Sequence, residues 1–185
     1  TCVDALLGTD MERVCRKVEE KVDIPVRPCY MYALTREGRK PPMVHVRQSL
    51  YSLLEPQKKK GNVVNLLGFF SPLVDDCELY ELLHGAGVKT IHEISRCSDY
   101  AEYQTMAEAN FNLVLHPEAR FAAEDFHDRL KIPYIELRRL YQIDKIASQY
   151  RAFGAALGVE FDDEAPRKEA EAAIIKFRET HPDAS

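Results

Sequence analysis

The sequence contains no apolar run approaching the about 18 residues a helix needs to cross a bilayer, which excludes membrane embedding by that route. It also lacks an excess of positive charge: 25 Lys and Arg stand against 30 Asp and Glu, a formal net charge of −5. Its one basic run, Lys58-Lys59-Lys60, has no interleaved aromatics. The electrostatic footprint of a nucleic-acid binder is therefore missing, and the run reads as a solvated loop. There is no C-x-x-C pair and no secretory signal. The five cysteines, Cys2, Cys15, Cys29, Cys77 and Cys97, are odd in number and widely spaced, so a reducing, cytoplasmic setting is expected and a disulfide framework is not. Nucleotide fingerprints are absent too, since no G-x-G-x-x-G, P-loop or G-x-S-x-G occurs. The six histidines form no H-E-x-x-H, and His92-Glu93 with Cys97 lacks the paired spacing of a zinc site.

What is present is a globular composition, 45% apolar and 30% charged over 185 residues, enough for one generous domain or one domain with an appended element. Segments of helical period alternate with short apolar runs, the pattern of strand-helix-strand units around a parallel sheet. Thr9 with Glu12 makes a capping box, and Met11, Val14, Cys15, Val18 and Val22 fall on one stripe, which predicts a first helix with that stripe buried. Ile24 to Tyr32 alternates at period two, but Pro25 and Pro28 each remove a ladder donor, so an edge or irregular strand is expected. A helix is predicted from about Met43 to Glu55. Strands are predicted at Val63 to Gly68, Val88 to Ile94 and Asn112 to Leu115, whose starts are 25 and 24 residues apart, room for a short strand and a crossover helix.

Between them, Asp75 and Asp76 are candidate caps for a helix stopped by Gly85 and Gly87, Ser98 and Asp99 open another, and Pro117 suits a first helical turn. Ala119, Ala122, Ala123, Phe126 and Leu130 form the next stripe. Ile132 to Leu137 reads as the last strand, with a covering helix from Ile143 to Leu157 stopped by Gly158. After the acidic Asp162-Asp163-Glu164, a helix starting at Pro166 carries a thin stripe of Ala170, Ala173, Ile174 and Phe177. The expectation is a three-layer α/β/α domain over 1–158 with a mostly parallel sheet of about five strands, Rossmann- or flavodoxin-like, and a connector helix and tail over 159–185. Thr1 to Leu7 is apolar without a turn or cap before it, and no strand follows the last helix, which reads as a segment of a longer protein.

In open parallel sheets ligands sit beyond the carboxyl ends of the strands. His116 follows the strand ending at Leu115 and precedes Pro117, at the start of a helix, so it is either a polar cap or a contact to an anionic or metal-bearing ligand. Cys2 lies shortly before the helix opened by Gly8-Thr9-Asp10. By its chemistry it is a buried thiol or a soft metal ligand. Cys29 and Cys97 lie near strand ends without a spacing argument, and Glu93 and Arg96 are placed to pair along the same rim.

Several segments together resemble the nitrogenase component 1 family of nitrogenase subunits, cofactor-assembly scaffolds and dark-operative protochlorophyllide reductase. Thr1-Cys2-x-x-x-Leu6-Leu7-Gly8-Thr9-Asp10-Met11-x-x-Val14 resembles the family's T-C-x-x-x-I-G-D-D-I-x-x-V segment. Val64-Asn65-Leu66-Leu67-Gly68, Glu78-Leu79-x-x-Leu82-Leu83-x-x-Ala86-Gly87-Val88, Ala109-x-x-Asn112-Leu113-Val114-Leu115 and Lys131-Ile132-Pro133 follow in the family's order, over roughly 1 to 158. The resemblance implies an oxidoreductase subunit in which Cys2 ligates an iron-sulfur cluster shared with a homologous partner subunit. It also implies that an ATP-dependent iron-protein reductase supplies electrons, and that His116 occupies about the place where catalytic nitrogenases hold their metal cofactor with a cysteine. Cys29-Tyr30-Met31 stands where the family has a glycine-phenylalanine turn. A divergent reductase or an assembly scaffold therefore fits better than dinitrogen reduction, the alternative function being a module that only holds a metal cofactor or metabolite.

Overall fold

The computed structural model describes residues 7–29 and 41–182. In chain order they form α1 (Met11–Val22), α2 (Pro42–Tyr51), β1 (Lys60–Leu67), α3 (Glu78–Gly85), β2 (Thr90–His92), α4 (Tyr100–Thr105), β3 (Ala109–Val114), α5 (Arg120–Leu130), β4 (Tyr134–Glu136), α6 (Ile143–Leu157) and α7 (Glu164–Thr180). Single 3₁₀ turns occupy Ile94–Arg96, Met106–Glu108 and Pro117–Ala119. No helix of the described residues is long and apolar enough to cross a membrane. The chain divides into two compact units, Thr1–Val74 with Lys89–Glu136, and Asp75–Val88 with Leu137–Ser185.

The first unit is built on a parallel sheet of order β2-β1-β3-β4, the α/β class the alternating pattern predicts. Among the described residues it has four strands and not five: from Ile24 to Cys29 no strand forms, in keeping with the two ladder donors that Pro25 and Pro28 lack, and Tyr30 to Tyr32, the rest of that expected strand, lie outside the described residues. The outer strands are also shorter than their apolar runs, because Val88 and Ile132 are buried core residues just before β2 and β4 and make no ladder. Central β1 and β3 are buried on both faces, as near-continuous apolar runs in parallel sheets are. Leu67 and Val114 stand in register and enter the main core with Tyr51, Leu54, Met106 and Phe126. The Tyr51 and Phe126 rings meet edge-on at 5.0 Å. Arg129 of α5 donates to the Leu54 and Tyr51 carbonyls at 2.6 and 2.9 Å, satisfying acceptors exposed where α2 ends.

The α5 stripe is buried as its period predicts, and the helix stops at Lys131, a non-glycine residue at φ 58° whose N–H returns to the Phe126 carbonyl. The α1 stripe departs from expectation. Cys15 is buried, but Val14, Val18 and Val22 are 43%, 40% and 49% exposed. Periodicity identifies an apolar face without saying what covers it. The cap differs as well: Asp10, not Thr9, accepts from the Arg13 N–H at 2.9 Å. α4 opens as read, with Asp99 accepting from Glu102 N–H while Ser98 bonds back to the Glu102 carboxylate.

The second unit is helical. α3 begins after Cys77 without a side-chain cap, so Asp75 and Asp76 do not serve as one. On α6, Tyr150 donates its hydroxyl to Glu78 Oε1 at 2.8 Å, and Phe153 packs on Phe161 with ring centres 5.6 Å apart. Gly154 is required by close approach: a Cβ there would sit 2.7 Å from the Val159 carbonyl oxygen. Gly158, at φ 74°, turns the chain out of α6. α7 begins at Glu164, two residues before the expected Pro166, and buries no residue; Arg167 ties it to Asp144.

Candidate functional site

The carboxyl ends of the four strands make one rim within the first unit. Leu115 N–H donates to the Leu67 carbonyl at 2.8 Å, prolonging the β1–β3 pairing by one residue, so the chain after Leu115 and the chain after Leu67 leave the sheet side by side. The approach is close enough that a Cβ on Gly68 would lie 3.1 Å from Leu115 Cβ. Phe69 then meets His116 edge-on, ring centres 4.9 Å apart.

His116 is held by its own sequence context. The residue is extended (φ −140°, ψ 135°) and stands at the cap of the Pro117–Ala119 turn that runs into α5. Pro117 has no N–H, so the first free donor of the turn belongs to Glu118, and that N–H points at His116 Nδ1 at 3.3 Å. The cap reading of the sequence therefore describes what Nδ1 does, and Nε2 makes no hydrogen bond among the described residues.

Arg47 was not singled out in the sequence, yet it organises this corner. It is 4% exposed, and its guanidinium donates to Glu118 Oε2 at 2.9 Å, to the Gly68 carbonyl at 2.8 Å and to the Met43 carbonyl at 3.3 Å. It also lies over the Phe70 ring, 4.9 Å from its centre, a cation–π contact. A signal existed: Val44, Arg47 and Tyr51 recur at i, i+3 and i+7 and are the buried residues of α2, so one cation sits on an apolar stripe and needs partners.

The flanks of the rim are ion pairs. Beyond β2, buried Glu93 takes Arg96 Nε at 3.1 Å and accepts from Leu73 N–H at 2.9 Å, while Arg96 reaches the Leu73 carbonyl. The pairing expected of these two residues is present and holds a loop. Beyond β4, Glu136 receives both hydrogen bonds of Arg120 Nη2, at 2.6 and 2.9 Å. These flanking charged groups are paired with one another, and the Phe69–His116 edge lies between them, beside the Arg47–Glu118 pair.

The cysteines do not converge here. Cys15 is buried in α1, Cys29 is exposed and follows no strand, and Cys77 precedes α3. Cys97 Sγ contacts the Glu93 carbonyl at 3.6 Å, and burial, with Glu102 and Asp99 nearby, pushes its thiol above the ordinary range, which opposes thiolate ligation. Cys2 lies outside the described residues. Among the described residues no three His, Cys, Asp or Glu are grouped to hold a metal ion. With Nδ1 of His116 engaged by an N–H donor, they do not by themselves supply a ligand set for a metal-sulfur cluster.

A strand-end rim closed by short loops, on a parallel sheet with no nucleotide fingerprint, agrees with the resemblance drawn from the motifs. The family model of the nitrogenase component 1 type oxidoreductases matches residues 1–185. The chain belongs to that family. Among its relatives, the nitrogenase iron-molybdenum cofactor biosynthesis protein NifE of Nostoc sp. is 25% identical over 162 residues, 85% of this chain and 34% of the relative. NifE of Klebsiella pneumoniae is 25% identical over 194 residues, 95% of this chain and 40% of the relative. The nitrogenase molybdenum-iron protein alpha chain of Methanococcus maripaludis is 23% identical over 170 residues, 89% of this chain and 35% of the relative. The chain thus spans about a third of the length of the curated relatives it matches.

Proposed function

We propose that the chain is the α/β domain, residues 1–158, of a cytoplasmic nitrogenase-like subunit, joined through the 159–185 helix to further domains. In this reading the rim at Phe69 and His116 faces a bound metal cofactor or substrate. Cys2 ligates an iron-sulfur cluster that carries electrons from an ATP-dependent iron-protein reductase, and a homologous partner subunit completes the cluster site. The observation that carries the reading is the position of His116, one residue past the β1–β3 pairing, on the edge where open parallel sheets bind their ligands. Family membership supports it independently.

A second reading, a scaffold that holds a metal cofactor during its assembly, is favoured by the names of several relatives, which are cofactor biosynthesis proteins. The resemblance adds to it, because it implies a ligating cysteine at about the place that His116 occupies here. The full-length protein, purified without oxygen, separates the two. Reductase-dependent reduction of a substrate supports electron transfer, whereas iron and visible absorption that pass to another protein without turnover support the scaffold. A colourless, iron-free protein overturns both. On its own, the 185-residue segment is expected to show no reductase-dependent turnover.

A further inference from the structure

The hydrogen bond at His116 has a definite direction, because its donor is a backbone N–H. Glu118 N–H can bond to Nδ1 only if Nδ1 keeps its lone pair, so the proton of the neutral imidazole is on Nε2. A histidine that binds a metal through Nε2 has the opposite arrangement: Nδ1 carries the proton and donates it to a carbonyl or carboxylate, leaving the Nε2 lone pair for the metal. Metal ligation by Nε2 would therefore turn the Glu118 contact into two N–H groups facing each other.

The surroundings keep the ring in this state. Glu118 cannot swing away freely, because Arg47 holds its carboxylate at 2.9 Å. The same guanidinium grips the Gly68 carbonyl and covers Phe70, the residues on either side of the Phe69 ring that touches His116. Both neighbours of the imidazole are thus tied to one buried cation.

We propose that His116 serves its site as a hydrogen-bond donor through Nε2–H, binding an acceptor atom of the bound group and not a metal ion, with Arg47 and Glu118 as positioning residues that set the tautomer. The proposal rests on the reading that His116 lines the functional rim. It specifies the ligand chemistry there: the group presents a lone pair towards His116 and takes its metal–protein bonds from other residues.

Two-bond proton–nitrogen correlation spectra of the cofactor-free full-length protein, labelled with ¹⁵N-histidine, test this directly. The His116 signals are identified by their loss in His116→Asn, which retains a side-chain oxygen able to cap the turn. The expected result is a pyridine-type Nδ1 and a pyrrole-type Nε2, unchanged by added Zn²⁺. In Glu118→Gln, and in Arg47→Lys, the two nitrogens should move towards averaged values while the other histidines keep theirs, which a merely structural role for the ion pair would not produce. A pyrrole-type Nδ1, or a Zn²⁺-dependent shift at His116 Nε2, overturns the assignment. Function is read separately: a pyrrole-type Nε2 together with wild-type turnover and wild-type cofactor content per folded molecule in His116→Ala, which has no side-chain donor, overturns the functional reading of the rim, and the donor role with it, leaving only the cap.

Discussion

Asn65 and Asn112 stand directly in register on the two central strands, and Asn65 Nδ2 donates to Asn112 Oδ1 at 2.7 Å inside a fully buried layer. Asn65 Nδ2 also reaches the Met106 carbonyl at 2.8 Å, so the pair fastens the Met106–Glu108 turn to the sheet. Asn65 Oδ1 and Asn112 Nδ2 have no partner among the described residues. Asn65→Ala leaves the Asn112 amide and the Met106 carbonyl without this donor, and Asn112→Ala leaves Asn65 with the Met106 carbonyl alone, so each should cost about 1 to 3 kcal/mol in urea unfolding. The double variant should lose clearly less than their sum. Additive losses would show that the two amides act independently.

Lys131 ends α5 in the left-handed region, where a Cβ is unfavourable. Its Nζ bond to the Asp128 carbonyl is exposed and contributes little. Lys131→Gly should therefore raise the unfolding midpoint, by about 0.5 to 1 kcal/mol of stability. A lower midpoint would show that the lysine stem packs more than its exposure indicates.

His92 is buried at the end of β2, and burial holds its pKa below the ordinary value against the opposing pull of Glu102 and Glu108, with Lys60 acting in the same direction as burial. A lowered folded-state pKa means that the unfolded chain binds the proton more readily. Its contribution to stability is therefore full above the unfolded value of about 6.5 and is lost as the pH falls through the folded one. Unfolding midpoints measured against pH should fall over that interval in the wild type and fall less steeply in His92→Gln. Parallel curves would remove His92 from the account.

Cys2 and Cys15 make an internally controlled pair in the full-length protein. Cys2→Ala should lose iron and visible absorption, because clusters require thiolates. Cys15→Ala, which empties a buried position on α1, should keep its iron and lose about 1 kcal/mol of stability. Wild-type iron in both variants would remove the ligand role from Cys2.

The central strands, α5 and the place of His116 were legible because each rests on local rules: a continuous apolar run, a 3.6-residue period, and a proline just after a strand end. The α1 face and the Arg47 cluster were not. Whether Val14 and Val18 are covered depends on elements remote in sequence. The partners of Arg47 come from its own helix at Met43, from Gly68, and from Glu118, 71 residues away in the chain. The tautomer of His116 lay between these cases. Pro117 already implied that the first free N–H of the turn is Glu118's, but the aim of the imidazole became visible only with the backbone in place.

Gly154 provides a marker that can be read in other sequences. Because the Val159 carbonyl oxygen lies 2.7 Å from any Cβ at that position, and the Phe161 ring 3.1 Å from it, no side chain fits while the chain doubles back after Gly158. A relative with Ala, Ser or anything larger at the equivalent position must route its α6–α7 connection differently. Alignments that carry the α7 arrangement across to such a sequence are then misplaced from that residue onward, however well the preceding sheet aligns.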